Sequence, residues 1–248
     1  MIIDNDDDLK HLKAIGRIVF EPLLLMKKSL KPGISTIELD RIGEKNLARY
    51  GARSAPILMY DFPGHTCISI NDEAAHGIPS GRKVAPGDVV NIDVSAELNG
   101  YFGDTGATFT VPPLDPRIEY LCQITRKSLN AAMSVARAGA KINQIGQAIE
   151  RTAINAGFTT IRDLGSHGIG LSLHEEPHFI QNFYDESDTR TLSEGQVITI
   201  EPFLSNGASS AVTADNGWAL LIGEGNRSAQ YEHTMVITKG KPQVLTAL

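Results

Sequence analysis

Four stretches of this chain carry apolar residues three and four positions apart, the spacing of a helix with one buried face. The first runs from about Leu9 to Leu30, with Pro22 expected to kink it, because proline lacks the amide donor and crowds the preceding turn. The second opens at Ser35-Thr36-Ile37-Glu38, a capping box. The third runs from about Arg117 to Arg137, and the fourth carries Ile142, Ile145, Ile149 and Ala153. Elsewhere the period drops to two. Thr66–Ile70, Val89–Asp93, Val197–Glu201 and Gln230–Met235 read as strands. Asn99-Gly100 is the strongest short-range hairpin signal, and pairing across it sets Leu98 opposite Tyr101 and Ser95 opposite Asp104.

The pattern occurs twice. Gly33 and Gly51 bracket the second helical stretch as Gly139 and Gly157 bracket the fourth, 106 positions later. Gly87-Asp88-Val89-Val90-Asn91-Ile92-Asp93 matches Gly195-Gln196-Val197-Ile198-Thr199-Ile200-Glu201, 108 positions later. That period is too long for a solenoid unit. It predicts two similar α+β halves packed together with a site between them.

Each matched strand ends in a carboxylate. Alternation puts Asn91, Asp93 and Ser95 on one face, and the hairpin register brings Asp104 to that face, one diagonal step from Asp93. In the second half Val197, Thr199 and Glu201 share a face, and Gln230, Glu232 and Thr234 alternate against Tyr231, His233 and Met235. Glu201 and Glu232 therefore sit on strands that can pair. Four acids thus lie in strands that are otherwise apolar or hydroxylic and contain no Lys or Arg. Like charges buried together must be paired, protonated or bound to a cation, and a divalent metal is the simplest answer.

The 248 residues carry 23 Lys plus Arg against 29 Asp plus Glu, a net charge of −6, which argues against a sequence-independent grip on nucleic acid. The acidic start lacks the basic and apolar regions of a secretory signal, and no run approaches a membrane span. A soluble cytoplasmic protein is expected. Cys67 and Cys122 are too few for a disulfide framework. Cys67 sits in a strand pattern and Cys122 on an apolar helical stripe, so neither has local support as a nucleophile.

Of seven histidines, His76, His167 and His174 are flanked by glycine or proline, as befits loops and strand ends with unusual backbone freedom. His11, His65, His178 and His233 read as ordinary. His174-Glu175-Glu176-Pro177-His178 satisfies H-E-x-x-H, the zinc-protease helix motif. Pro177 inside it, with Gly168 and Gly170 upstream, predicts extended chain instead. No nucleophile elbow, Walker loop or dinucleotide fingerprint is present.

Taken together, Cys67-Ile68-Ser69-Ile70-Asn71, Ala75-His76-Gly77-Ile78-Pro79, Val90-Asn91-Ile92-Asp93-Val94, Gly103-Asp104-Thr105, His167-Gly168-Ile169-Gly170, His174-Glu175-Glu176-Pro177, Thr199-Ile200-Glu201-Pro202 and Gln230-Tyr231-Glu232-His233-Thr234 resemble the methionine aminopeptidases of the bacterial single-domain type. The resemblance spans nearly the whole chain. It implies one domain over 1–248 with the pita-bread fold, an α+β architecture of two pseudo-symmetric halves with a central antiparallel sheet and flanking helices. It implies two divalent ions (Co, Mn, Fe or Zn) on Asp93, Asp104, His167, Glu201 and Glu232, with Asp104 and Glu232 shared between them. Catalytic roles fall on Glu201 as proton shuttle, His174 as oxyanion partner and His76 at the scissile amide. Met59, Phe62, Cys67, Leu173 and Trp218, with His76 and His174, are implied to bind the substrate.

The implied activity is removal of the amino-terminal methionine of nascent chains when the second residue is small. The implied setting is a cytoplasmic monomer in transient contact with the ribosome, with no nucleic-acid readout and no membrane. Ser166 stands where the family more often has glycine. Phe62, Met59 and Leu173 replace more usual aromatics, so a looser pocket is expected. The alternatives are a proline-specific relative, which would need an extra amino-terminal domain that this chain has no residues for, and a metal-free binding module of the same fold.

Overall fold

The computed structural model describes residues 1–247. Asn5 accepts hydrogen bonds from the amides of Asp7 and Asp8 and so starts helix α1 (Asp6–Ser29), three residues before the first apolar position. Leu12, Ile15, Val19, Leu23 and Met26 form its buried stripe. Each such side chain contributes about 1.5–3 kcal/mol on burial. The sum outweighs the roughly 3 kcal/mol that an interior proline costs, and α1 continues through Pro22 as one helix rather than breaking there. Helix α2 (Thr36–Arg49) begins at the predicted capping box, with both reciprocal bonds between Ser35 and Glu38 formed.

These two helices cover one face of a sheet in which Val89–Leu98 pairs with Arg53–Ser54, Cys67–Ile70 and Tyr101–Thr110. The hairpin has the predicted register, Leu98 opposite Tyr101 and Ser95 opposite Asp104, and Asn99 takes the left-handed conformation (φ 54°) that the tight loop requires. Between the strands Arg53–Ser54 and Cys67–Ile70 lies the short helix α3 (Ala55–Tyr60).

The second half repeats this plan. Helices α4 (Pro116–Val135) and α5 (Asn143–Asn155) pack on a five-stranded antiparallel sheet ordered Gln243–Val244, His233–Val236, Val197–Ile200, Gly165–Gly168 and Glu175–Gln181. The correspondence extends to single hydrogen bonds. Gly33 N–H donates to the Val84 carbonyl as Gly139 N–H donates to that of Leu192, and Thr36 N–H to Arg82 as Ile142 N–H to Arg190. All four bracketing glycines have positive φ, between 69° and 91°.

The halves meet along the Tyr101–Thr110 strand. Ala107 bridges Tyr231, Thr108 Oγ1 donates to the Gln230 carbonyl and Thr105 Oγ1 to that of Glu232. Each half has its own apolar core, one around Ile15, Leu39, Ile68 and Ile92 and the other around Leu121, Ile145, Ile149 and Ile198. The hydroxylic and carboxylate side chains occupy the seam between them. Among the described residues no helix is long and apolar enough to cross a membrane.

Candidate metal centre and adjoining cavity

The central hairpin supplies two of the four acids. Asp93 pairs with Gly106 and Asp104 with Ser95, which leaves the carboxylates on one face in the diagonal relation that the alternation predicts. The other two acids sit where the second half's sheet bends. Val197–Ile200 pairs with His233–Val236, and beyond the His233–Ile200 pair the chains turn at Glu201-Pro202 and Tyr231-Glu232 before pairing again as Phe203–Ser205 with Ser228–Gln230. Glu201 and Glu232 occupy that bend. The backbone of Glu201 is held by its N–H donating to Ser166 Oγ at 2.9 Å, and that of Glu232 by its N–H donating to the Gly106 carbonyl at 2.9 Å. Thr234 Oγ1 accepts from Asp104 N–H and donates back to the Asp104 carbonyl.

His167 arrives on the Gly165–Gly168 strand, its N–H donating to Thr199 Oγ1. Its Nε2 lies 3.5 Å from Glu201 Oε1 and 4.0 Å from Asp104 Oδ2. Ligand atoms of Asp104, His167 and Glu232, all buried, come within 4.8 Å of one another. Gln230, which alternation put on the face of Glu232 without a role, donates from Nε2 to Glu232 Oε2 at 3.1 Å, while its Oε1 accepts from Asn91 Nδ2 at 2.8 Å. A Cβ on Gly106 would fall 2.4 Å from Gln230 Oε1, so this glycine makes room for that amide.

Burial is the leading influence on every acid here. It pushes Asp93 up to about 6 and Asp104, Glu201 and Glu232 well above the usual carboxylate range, with neighbouring carboxylates adding to the rise in the last three. Burial also pushes His167 down to about 3, with His174 adding to the effect. Asp104 Oδ1 and Glu232 Oε1 are buried and have no hydrogen-bond partner among the described residues. Leaving such oxygens unpaired is costly, and a bound cation held by these residues would remove the cost. Carboxylates with one imidazole form a donor set suited to Mn²⁺, Fe²⁺, Co²⁺ or Zn²⁺. The residues present therefore fit a divalent metal.

Beside this cluster opens a cavity of about 270 Å³. Asp93, Asp104, His167 and Glu201 form its floor, and Phe62, Cys67, Leu173 and Trp218 its apolar wall. Phe62 and Trp218 meet edge to face with centroids 5.1 Å apart. His76 reaches the cavity from a left-handed backbone (φ 55°), a strained state for a residue with a Cβ. His174 stands at the mouth, its ring 4.1 Å from that of His167, and burial with the His76 and His178 charges pushes its pKa down to about 4. The Cys67 thiol is pushed well up, by burial first and Asp93 next, which keeps it protonated and unreactive.

One expected wall residue is corrected. Met59 and Tyr60 are both partly exposed, but Pro56 and Tyr60 line the cavity and Met59 does not. The reason is helical phase. Residues four apart share a face of α3, and the intervening position turns about 100° away. The H-E-x-x-H decoy is extended, as expected. Glu175–Gln181 is a strand, and His178 points to solvent 3.6 Å from Glu176 Oε1, with 68% of its side chain exposed.

The strand carrying His167 and the Glu175–Gln181 strand that follows His174 approach so closely that a Cβ on Gly168 would fall 2.3 Å from the Glu176 carbonyl oxygen. Gly168→Ala should separate them. Overpacking of this kind costs about 1–3 kcal/mol, and the expected outcome is a lower melting temperature with weakened metal retention by elemental analysis. A variant as stable and as metal-rich as the parent would show that the strands can yield.

A family model described as metallopeptidase family M24 matches residues 10–239. The chain is 47% identical over 249 residues to methionine aminopeptidase 2 of Bacillus subtilis, with 100% of both chains covered. It is 43% identical to a methionine aminopeptidase of Staphylococcus epidermidis, over 100% of this chain and 99% of that one. Crystal structures of methionine aminopeptidases from Rickettsia prowazekii (33% identity, TM-score 0.94) and Thermotoga maritima (30%, 0.95) superpose over 100% of both chains. The prolidase from Pyrococcus furiosus shares the pita-bread fold at 22% identity and TM-score 0.80, over 100% of this chain and 66% of its own. With its buried acid and histidine cluster at the seam of two pseudo-symmetric halves, this chain belongs to metallopeptidase family M24.

Proposed function

We propose that this protein, acting as a single domain over 1–248, is a metal-dependent methionyl aminopeptidase that removes the first methionine from peptides and nascent chains whose second residue is small. The observation that carries the reading is an apolar-walled cavity of about 270 Å³ opening directly on the acid and histidine cluster. Two divalent ions (Co, Mn, Fe or Zn) would be held by Asp93, Asp104, His167, Glu201 and Glu232. When bound, they supply Lewis-acid polarisation and a water acidified to near neutral pH.

The chain's own groups do the rest. Glu201 takes a proton on its carboxylate during attack and returns it to the leaving amine. His174 donates a ring N–H to the carbonyl oxygen as negative charge develops there. His76 contacts the scissile amide. Phe62, Cys67, Leu173 and Trp218 hold an unbranched thioether, with sulfur–aromatic contact at Trp218 adding about 0.3–1.5 kcal/mol. We place the enzyme in the cytoplasm as a monomer, meeting chain ends as they leave the ribosome.

A panel of X-Ala-peptides and Met-X-peptides at fixed metal tests this reading. Methionine should be released fastest, leucine more slowly, and charged first residues not at all. Gly, Ala and Ser should be the best second residues. Discrimination by one methylene in such a pocket is worth about 1–3 kcal/mol, so the preference over leucine should be moderate. Faster release of leucine or phenylalanine would remove methionine from the assignment, and exclusive cleavage of X-Pro bonds would favour the proline-specific alternative.

A further inference from the structure

We infer that Tyr60 is a positioning residue that fixes the tautomer of His174, holding it as an Nε2–H donor toward the cavity. Tyr60 is the last residue of α3, and its hydroxyl lies 2.6 Å from His174 Nδ1 across 114 positions of sequence. The rings are tilted at 56° with centroids 5.7 Å apart, so the hydroxyl and Nδ1, rather than the ring faces, make the contact.

The direction of the bond follows from the chemistry of the two groups. A phenol is an acid and a weak acceptor, whereas the bare imidazole nitrogen is a base and a good acceptor. The Tyr60 hydroxyl has no other partner among the described hydrogen bonds, so its proton has no other destination in the protein. Donation from Tyr60 leaves Nδ1 without a proton, and a neutral imidazole must then carry its proton on Nε2. Nε2 has no protein partner among the described residues, and His174 lines the cavity. With the opposite tautomer Nε2 would present a lone pair, which repels a developing oxyanion and competes for a cation. One hydroxyl thus separates a donor from a stray ligand at the cavity mouth. Neighbouring Met59 has no group that could do this.

The inference rests on the proposed role of His174 in peptide hydrolysis, but its first readout does not. Heteronuclear NMR of histidine-labelled, zinc-loaded protein at neutral pH reports which ring nitrogen of His174 carries the proton, with His174→Asn to assign the signal. The expected result is an Nε2–H ring in the parent and a tautomer mixture in Tyr60→Phe. In peptide assays Tyr60→Phe should lose roughly fivefold to tenfold in kcat, the worth of one hydrogen bond, with KM and zinc content unchanged. Leu58→Ala, on the same helix but outside the cavity lining, should leave both readouts at the parent value.

An Nδ1–H ring in the parent, or an unchanged ring and unchanged kcat in Tyr60→Phe, would overturn the inference. A parent that cleaves no methionyl peptide would overturn the proposed function, and the NMR comparison would still decide the role of Tyr60.

Discussion

Removal of divalent metal should abolish peptide hydrolysis, and Mn²⁺, Fe²⁺, Co²⁺ or Zn²⁺ should restore it. Asp93, Asp104, Glu201 and Glu232 lie buried at the seam beside His167, with no Lys or Arg paired to them among the described residues, and Asp104 and Glu232 each keep a buried oxygen without a partner. Without a cation the site can be electrically tolerable only by taking up protons, so metal binding should release them. The pH dependence has a definite sign. Asp93 has a pKa of about 6 in the folded metal-free protein, and Asp104, Glu201 and Glu232 are also raised. The folded state therefore binds more protons than the unfolded chain, whose acids titrate near 4. The stability these protons provide is complete below that range and is lost as pH rises through about 6 and beyond.

Metal-free protein should accordingly melt at lower temperature at pH 8 than at pH 5, and the stabilisation given by saturating metal should grow over the same interval. Melting curves with and without metal, together with activity after chelation, check both points. Full hydrolysis in a sample verified to be metal-free would end the metallopeptidase reading of this site. A metal-induced stabilisation that shrinks as pH rises would show that the acids are not the protonated groups.

The second large effect should come from His174. His174→Ala should lower turnover by about 10²–10³, equivalent to roughly 2.7–4 kcal/mol, the range for loss of one oxyanion donor. Metal content should stay at the parent level, because His174 lies outside the group formed by Asp104, His167 and Glu232. His178→Ala should change neither quantity, since that side chain is turned to solvent on the far side of Pro177. Together these variants separate a donor at the cavity mouth from a ligand. Metal loss in His174→Ala would make it a ligand, and metal loss in both would revive the zinc-helix reading that the strand geometry opposes.

The local chemistry of the chain was legible in its sequence. The Ser35–Glu38 capping box, the Asn99-Gly100 loop and the glycine-bracketed repeat act over a few residues, and each appears where the pattern put it, down to Ser95 opposite Asp104. Strand alternation and the hairpin register placed Asp93 and Asp104 on one face, because a period of two leaves little choice about which residues share a face. Glu201 and Glu232, read as strand residues, instead occupy the bend between two pairs of strands. Pro22 lies inside the continuous helix α1, whose buried stripe carries the helix past it.

The assembly of the site was decided by tertiary structure. The spacing of His167 gave no sign that it would reach Asp104, and the resemblance named it without a geometry. Only the pairing of Gly165–Gly168 with Val197–Ile200 carries it there. The clasp of Gln230 on Glu232 depends on room left by Gly106 in the other half. Tyr60 rather than Met59 faces the cavity because α3 is helical there and one residue changes direction by about 100°. A repeating pattern records which faces are buried, because burial is set by the neighbours along one element. Which side chains from different elements touch depends on angles and registers between those elements, and those are fixed only when the two halves close on one another.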